Sequence, residues 1–160
     1  MGVTVELAGP LRIVHGDPTG VEVVVGSPKE RRLLALLAVH RSRPVSTDMI
    51  VEALWGDRPP RRPAQNVASL VSRLRAALGS EVILGSQGAY QLGGPPAVRV
   101  DLDQAAQFVS TAVQRLAEGS PALAGTAAAR ALALLGDGLA LAGAPDADWV
   151  QAARVASTQL

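Results

Sequence analysis

The sequence predicts an α+β amino-terminal part followed by an all-α segment. Three observations lead to this fold class: two groups of short β-rich runs, three segments with helix-start signals between them, and a change to alanine and leucine after Val100. The run Gly93-Gly-Pro-Pro96 breaks the chain where the composition changes. We therefore expect two domains, residues 1–95 and residues 101–160.

Composition narrows the class of protein. The chain has 160 residues, 48% of them hydrophobic, which is enough to fill a core. It has no cysteine, which excludes disulfides, thiolate metal sites and cysteine nucleophiles. The longest apolar run, Leu33 to Val39, is too short to span a bilayer, and we expect no signal peptide. The expectation is a soluble cytoplasmic protein.

The first β-rich runs predict a small antiparallel sheet. Val3–Leu7 and Leu11–Val14 are separated by the turn residues Gly9 and Pro10, and Val21–Val25 predicts a third strand. Another element of the fold should pack against such a sheet, because three short strands are marginally stable by themselves.

Two helices should follow the sheet. Ser27-Pro-Lys-Glu30 combines a capping serine, a proline at the first helical position and a glutamate three residues after the cap. This first helix is apolar nearly all round and should be buried, and Arg41–Pro44 should end it. Ser46 predicts the cap of the second helix and Gly56 its end. The inner face of the second helix consists of Ile50, Val51, Leu54 and Trp55.

A third helix should begin near Ala64, because the preceding segment Asp57–Pro63 is rich in proline, and should end at Gly79. The side of this helix opposite its core face carries Asn66, Ser69 and Arg73. The core face has apolar residues at helical spacing: Val67, Val71, Leu74 and Leu78.

A β-hairpin should come next. Val82–Leu84 and Ala89–Leu92 are β-rich, and Gly85–Gly88 between them predicts the turn. A small sheet, three helices and a terminal hairpin are the elements of a winged helix-turn-helix domain, in which the hairpin is the wing.

The all-α segment predicts helices at Asp103–Ala117, at Pro121–Leu135 and from Asp146 to the end. Paired helices of this length resemble TPR-like helical repeats, which need several units to close a core. Trp149 and Leu160 lie on a last helix without a partner in the pattern. We expect either that the natural polypeptide continues or that this end pairs with another chain.

Basic residues are concentrated in the first hundred residues. That part has twelve basic and eight acidic residues, a net charge of +4, whereas residues 101–160 have a net charge of −3. Between Lys29 and Arg75 the balance reaches +6. This asymmetry indicates a polyanionic partner for the first half.

Double-stranded DNA fits these features, because a helix fits the major groove, where base edges are distinguishable. Arg73 can donate two hydrogen bonds to guanine, and Asn66 can pair in the same way with adenine. Ser69 is small enough for close approach, and Leu70 could touch a thymine methyl group. The alternative for Arg73 is a solvated helix face, and the same holds for Arg75. Phosphate contacts are expected from Arg58, Arg61, Arg62 and Arg75.

Several segments resemble the Streptomyces antibiotic regulatory protein (SARP) family. Residues 1–95 resemble its OmpR/PhoB-type winged helix, and residues 101–160 resemble the start of its bacterial transcriptional activation domain. The matching segments of the first part are Leu7-Ala-Gly-Pro-Leu11, Gly26-Ser-Pro-Lys-Glu-Arg-Arg-Leu-Leu34, Glu52-Ala-Leu-Trp-Gly56, Val71-Ser-Arg-Leu-Arg75 and Gly88-Ala-Tyr-Gln-Leu92. Those of the second part are Asp101-Leu-Asp, Ala131-Leu-Ala-Leu-Leu135, Trp149 and Arg154.

The resemblance implies a transcriptional activator of an antibiotic or other secondary-metabolite gene cluster. It would bind direct repeats near a promoter, with two copies side by side, and contact RNA polymerase through a sigma factor. The third helix from Gln65 to Arg75, including Ser72, would read bases. Trp55 and Tyr90 would bind phosphates, with a place at the edge of the core as the alternative. The polymerase would be contacted by Asp57, Arg58, Arg61 and Arg62.

The hairpin turn departs from the family pattern. Many relatives carry an arginine there that enters the minor groove, whereas this chain has Ser86 and Gln87. These two residues are the candidate contacts of the wing.

Little in the sequence indicates an enzyme. His15 and His40 are the only histidines, and neither belongs to a nucleophile or metal pattern. Gly136-x-Gly138 lacks the third glycine of a dinucleotide loop. We expect no cofactor and no metal. The remaining rival is a winged-helix and helical-repeat module that binds a protein instead of a DNA sequence.

Overall fold

The computed structural model describes residues 2–16, 20–136, 139–144 and 147–159. Gly138, Asp146 and Leu160, named above, lie outside these ranges. The strands of the described part are β1 (Val3–Glu6), β2 (Arg12–His15), β3 (Val45–Ser46), β4 (Ile83–Ser86), β5 (Ala89–Leu92) and β6 (Val98–Val100). Its helices are α1 (Pro28–Val39), α2 (Thr47–Trp55), α3 (Pro63–Leu78), α4 (Asp101–Ala117), α5 (Pro121–Leu135) and α6 (Asp148–Thr158).

The chain divides into two compact units. The first consists of Met1–Thr4 and Ile13–Val98, and the second of Val5–Arg12 and Arg99–Leu160. The segment Val5–Arg12, assigned above to the amino-terminal domain, thus groups with the second unit. The strands form two three-stranded sheets, ordered β2-β1-β6 and β3-β5-β4.

The start and burial of α1 follow from local chemistry, and both predictions are confirmed. Ser27 Oγ accepts a hydrogen bond from the Glu30 amide at 3.1 Å, and Pro28 opens the helix. The side chains from Leu33 to Ala38 are all buried. The helix ends at Val39, just before the predicted stop.

The predicted strand Val21–Val25 is wrong. The segment pairs with β2 over a short stretch only, through one isolated bridge, Val14 to Glu22, and two backbone hydrogen bonds. In these bonds the His15 amide donates to the Val21 carbonyl oxygen at 3.0 Å, and the Val23 amide donates to the Ile13 carbonyl oxygen at 2.7 Å. The side chains of Val21 and Val24 are 78% and 83% exposed, so they gain little burial from a longer strand. The third position in the first sheet belongs to β6, which the sequence analysis did not predict.

The second sheet joins the wing to the start of α2. Ser46 caps α2, as predicted, with its Oγ accepting the Met49 amide at 3.2 Å. Val45 and Ser46 also form β3, which pairs antiparallel with β5, and this strand was not predicted. The hairpin turn is tighter than expected, because Ser86 pairs directly with Ala89. Gly85 has a φ of 94°, and an added Cβ would lie 2.3 Å from the Ala89 carbonyl oxygen, so this position requires glycine.

The core of the first unit lies between α1, α2, α3 and the hairpin. The predicted core face of α3 is confirmed, since Val67, Val71, Leu74 and Leu78 are all buried. On α2, Ile50 and Leu54 are buried, while Val51 and Trp55 are half-buried. Gly56 ends α2 with a φ of 58°, as expected for a glycine stop.

The second unit contains a helical hairpin and a buried carboxylate. Helices α4 and α5 pack against each other, close to their predicted bounds. Asp101 accepts hydrogen bonds from the backbone amides of Leu7, Ala8 and Leu102 at 2.8–2.9 Å. Helix α6 has neighbours, contrary to expectation: Val150 is fully buried, and Arg154 Nε donates to the Ala140 carbonyl oxygen at 3.2 Å. A repeat arrangement of these helices stays a prediction.

Candidate nucleic-acid interface

The outer side of α3 presents three polar side chains. Asn66, Ser69 and Arg73 are exposed and lie opposite the buried stripe that fixes the helix to the core. Their spacing of three and four residues places them on one face of the helix. We call these three residues the reading ridge. Gln65 and Ser72 beside it are also exposed.

The ridge side chains are held by short-range bonds. Asn66 Nδ2 donates to the Arg62 carbonyl oxygen at 2.8 Å, and Ser69 Oγ donates to the Gln65 carbonyl oxygen at 3.0 Å. Neither bond uses the acceptor oxygen of the Asn66 side chain or the lone pairs of the Ser69 hydroxyl. Both residues therefore keep acceptor capacity toward a ligand in front of the helix.

Arg73 reaches across to α1. Its Nη1 lies 3.6 Å from Oε1 of Glu30, and its side chain is 66% exposed whereas that of Glu30 is 10% exposed. The pair thus combines a fixed carboxylate with an accessible guanidinium. The sequence predicted Glu30 only as part of the start of α1. Its ion pair could not be predicted, because Arg73 lies 43 positions away in the sequence.

The predicted contact of Leu70 with a thymine methyl group is wrong. It is 7% exposed and belongs to the core face of α3 together with its neighbour Val71. A side chain buried to this degree does not offer a methyl-binding surface to a base.

Arg75 is engaged within the first unit. Its Nε and Nη2 both donate to the Ile83 carbonyl oxygen, at 2.9 and 2.7 Å, and Nη2 also donates to the Gly85 carbonyl oxygen at 2.7 Å. The predicted phosphate contact is therefore replaced by a structural role. Arg75 fixes the end of α3 to β4.

Tyr90 follows the alternative in the core, whereas Trp55 lies at the edge of the core and its phosphate contact stays a prediction. Tyr90 is 3% exposed in the middle of the second sheet, opposite Val45. Trp55 is half-buried, and Lys29 Nζ lies 5.2 Å from the centroid of its ring. Lys29 also donates to the Leu54 carbonyl oxygen, so α1 and the end of α2 are tied together here. Burial, with Arg32 as a second cause, lowers the pKa of Lys29.

The wing turn is anchored by its backbone. The Thr47 amide donates to the Gly88 carbonyl oxygen at 3.1 Å, and Thr47 Oγ1 donates to the Gln87 carbonyl oxygen at 2.9 Å. Both bonds use main-chain acceptors, so the side chains of Ser86 and Gln87 remain exposed. The wing is thus a fixed turn with two accessible polar side chains.

The loop between α2 and α3 has a net positive charge and precedes the reading ridge in the sequence. It contains four exposed charged residues: Asp57, Arg58, Arg61 and Arg62. Arg62 Nη1 lies 3.5 Å from Gln65 Oε1, which directs its side chain along the first turn of α3. Positive charge thus surrounds the amino-terminal end of the reading ridge.

Within the described ranges, no group of three or more His, Asp or Glu side chains is arranged to hold a metal ion. The histidine at the end of α1, His40, has its pKa lowered by burial and by Arg43. In the part of the chain that the structure covers, no helix is long and apolar enough to cross a membrane.

Known proteins share this arrangement. Residues 21–88, which include α1 to α3 and most of the wing, match the family described as "Transcriptional regulatory protein, C terminal". The regulatory protein AfsR of Streptomyces coelicolor is 34% identical over 137 residues, which is 86% of this chain and 13% of that protein. The transcriptional regulatory protein EmbR of Mycobacterium tuberculosis is 36% identical over 97 residues, 60% of this chain and 24% of the relative.

A solved structure extends the similarity from the matched domain to nearly the whole chain. EmbR of Mycobacterium tuberculosis, in complex with a low affinity phosphopeptide, superposes with a TM-score of 0.83 and 29% identity over 98% of this chain. The chain is similar to SARP-family regulators, and the part that the family model matches has an OmpR/PhoB-type winged helix-turn-helix. The helices that follow have counterparts in the EmbR structure. The chain spans 42% of the EmbR structure and a smaller share of AfsR.

Proposed function

We propose that this chain is a sequence-specific DNA-binding transcription regulator whose α3 enters the major groove. The observation that carries the proposal is the reading ridge: Asn66, Ser69 and Arg73 project together from the outer face of a helix whose other face is fixed in the core. Such a face offers donors and acceptors to base edges without disturbing the fold.

Charge around the ridge supports contact with the DNA backbone. The segment from Lys29 to Arg75 has a net charge of +6. Arg61 and Arg62 are exposed at the start of α3, where they would meet phosphates beside the groove. With Arg75 and Tyr90 engaged in the fold, the phosphate contacts fall to this loop and to exposed wing residues.

The regulatory context is a further part of the proposal. The named relatives are regulatory proteins. We infer that this chain acts in the cytoplasm, where it binds direct repeats near a promoter and activates transcription of a biosynthetic gene cluster. The exposed loop residues Asp57 and Arg58 would contact RNA polymerase through its sigma factor, because they lie outside the ridge.

DNA recognition is tested by selecting duplexes from a random pool with the full chain. Affinity for the selected duplex should fall with salt by a slope of about −0.9 per phosphate contact. Arg73→Ala should relax the preference at one base pair, and Arg62→Ala should weaken all duplexes alike. A protein-interaction module would instead bind every duplex weakly and enrich no sequence.

Activation is tested separately from binding. Asp57→Ala should not lower DNA affinity, because Asp57 is acidic, but should lower transcript yield in a purified transcription assay with the selected site upstream of a promoter. Normal transcript yield from this variant refutes the polymerase contact of Asp57 while leaving the DNA-binding proposal intact.

A further inference from the structure

A buried carboxylate lies directly behind the reading ridge. Glu30 is 7% exposed at the first turn of α1, where its backbone amide is bound by Ser27 Oγ. Its carboxylate oxygen Oε1 faces Arg73 Nη1 at 3.6 Å.

The position of Glu30 is unfavourable for simple DNA affinity. A negative charge beside the arginine of the ridge opposes binding of a polyanion, and burial of a carboxylate carries a desolvation cost. Capping of α1 accounts for an acidic residue in the first turn. It does not account for a carboxylate oxygen directed toward the arginine of the ridge.

The pair leaves most of the Arg73 guanidinium available. Arginine has five N–H donors in a planar fork, and the ion pair with Glu30 involves only Nη1, at a distance beyond that of a hydrogen bond. The Arg73 side chain is still 66% exposed, so the other donors point toward solvent. An arginine held in this way loses less rotamer entropy when it binds a base than a free one does.

We propose that Glu30 is a positioning residue that orients the Arg73 fork for guanine and thereby sets base selectivity at one position of the operator. This inference rests on the proposed function, since it assigns the supporting contact of the ridge. The selectivity of α3 is then determined in part by α1, through a residue that does not touch DNA.

The proposal predicts opposite changes in affinity and selectivity. Glu30→Gln removes a negative charge while preserving the size of the side chain, so affinity for unselected duplex should stay the same or rise. The guanine preference should fall, because the fork is no longer held by an ion pair. Loss of the fold would instead lower affinity for every duplex.

The experiment uses the full chain and two duplexes: the sequence selected by the wild type, and the same sequence with the guanine pair assigned to Arg73 replaced by an A·T pair. A bidentate arginine–guanine contact corresponds to a ratio of affinities of about 5- to 150-fold. We expect Glu30→Gln to reduce that ratio at least threefold, with Glu52→Gln, an exposed glutamate on α2, as the matched control.

Two further variants keep the outcome interpretable. Glu30→Asp keeps the charge but shortens the reach to Arg73, so it should lower the ratio without raising affinity for unselected duplex. In an Arg73→Ala background, Glu30→Gln should have no further effect on the ratio. A thermal melt of each variant identifies any that fails to fold, and Glu30→Asp then stands in for Glu30→Gln.

Different results refute the groove contact of Arg73 and the positioning role of Glu30. If Arg73→Ala retains the full ratio, the groove assignment of Arg73 is refuted. If Arg73→Ala loses the ratio but both Glu30 variants keep it within twofold, Arg73 reads the base without help and the positioning role of Glu30 is refuted.

Discussion

Replacing Arg75 by alanine should unfold the wing more easily without altering base preference directly. Three charge-assisted bonds connect the Arg75 guanidinium to the carbonyl oxygens of Ile83 and Gly85. Ile83 is buried, so its acceptor is left unpaired in Arg75→Ala, which costs about 1–3 kcal/mol. Gly85 is exposed, and water replaces the bond there at little cost.

The expected loss for the first unit is therefore about 1–3 kcal/mol, or about 4–20 °C in its melting temperature. The two tryptophans allow each unit to be observed separately, since Trp55 lies in the first unit and Trp149 in the second. In a Trp149→Phe background, urea unfolding followed by fluorescence reports on the first unit.

Arg61→Ala is the matched control for Arg75→Ala, because Arg61 is an exposed arginine of the same unit. Its removal should change stability by no more than about 0.5 kcal/mol. Unchanged unfolding of Arg75→Ala, together with a salt slope of DNA binding reduced by about one contact, would refute the structural role and restore the phosphate contact.

Other perturbations test the second unit and the response to pH. Asp101→Asn should destabilise the second unit by about 1–3 kcal/mol, because one carboxylate accepts three amides, and Trp149 fluorescence in a Trp55→Phe background measures it. The lowered pKa of His40 means that the unfolded chain binds its proton more tightly, so stability should fall as pH drops from 6.5 toward the lowered value. His40→Asn should flatten that fall in urea titrations, and an unchanged slope would refute this cause.

Local signals predicted the parts of the fold that depend on neighbouring residues. The start of α1 and the ends of α2 and α3 follow from Ser27, Gly56 and Gly79, whose effects are confined to one helical turn. The exposed position of Asn66 on α3 follows from helical periodicity alone.

Features that depend on distant partners were missed. The valines from Val21 to Val25 have high strand propensity, yet they pair with β2 only through one bridge and two backbone hydrogen bonds, whereas β3 has two residues and no recognisable pattern. The engagement of Arg75 and the burial of Tyr90 depend on β4 and β3. Residue type had suggested a phosphate contact for Arg75, and the family resemblance had suggested one for Tyr90. The ion pair between Glu30 and Arg73 was missed for the same reason.

The grouping of Val5–Arg12 with the second unit has a practical consequence for anyone dissecting the molecule. A fragment cut at the glycine–proline run after the wing would carry the peptide of Leu7 and Ala8 while discarding the carboxylate of Asp101 that satisfies both of their amides. Truncations meant to isolate the wing and its three helices should therefore retain the first turn of α4.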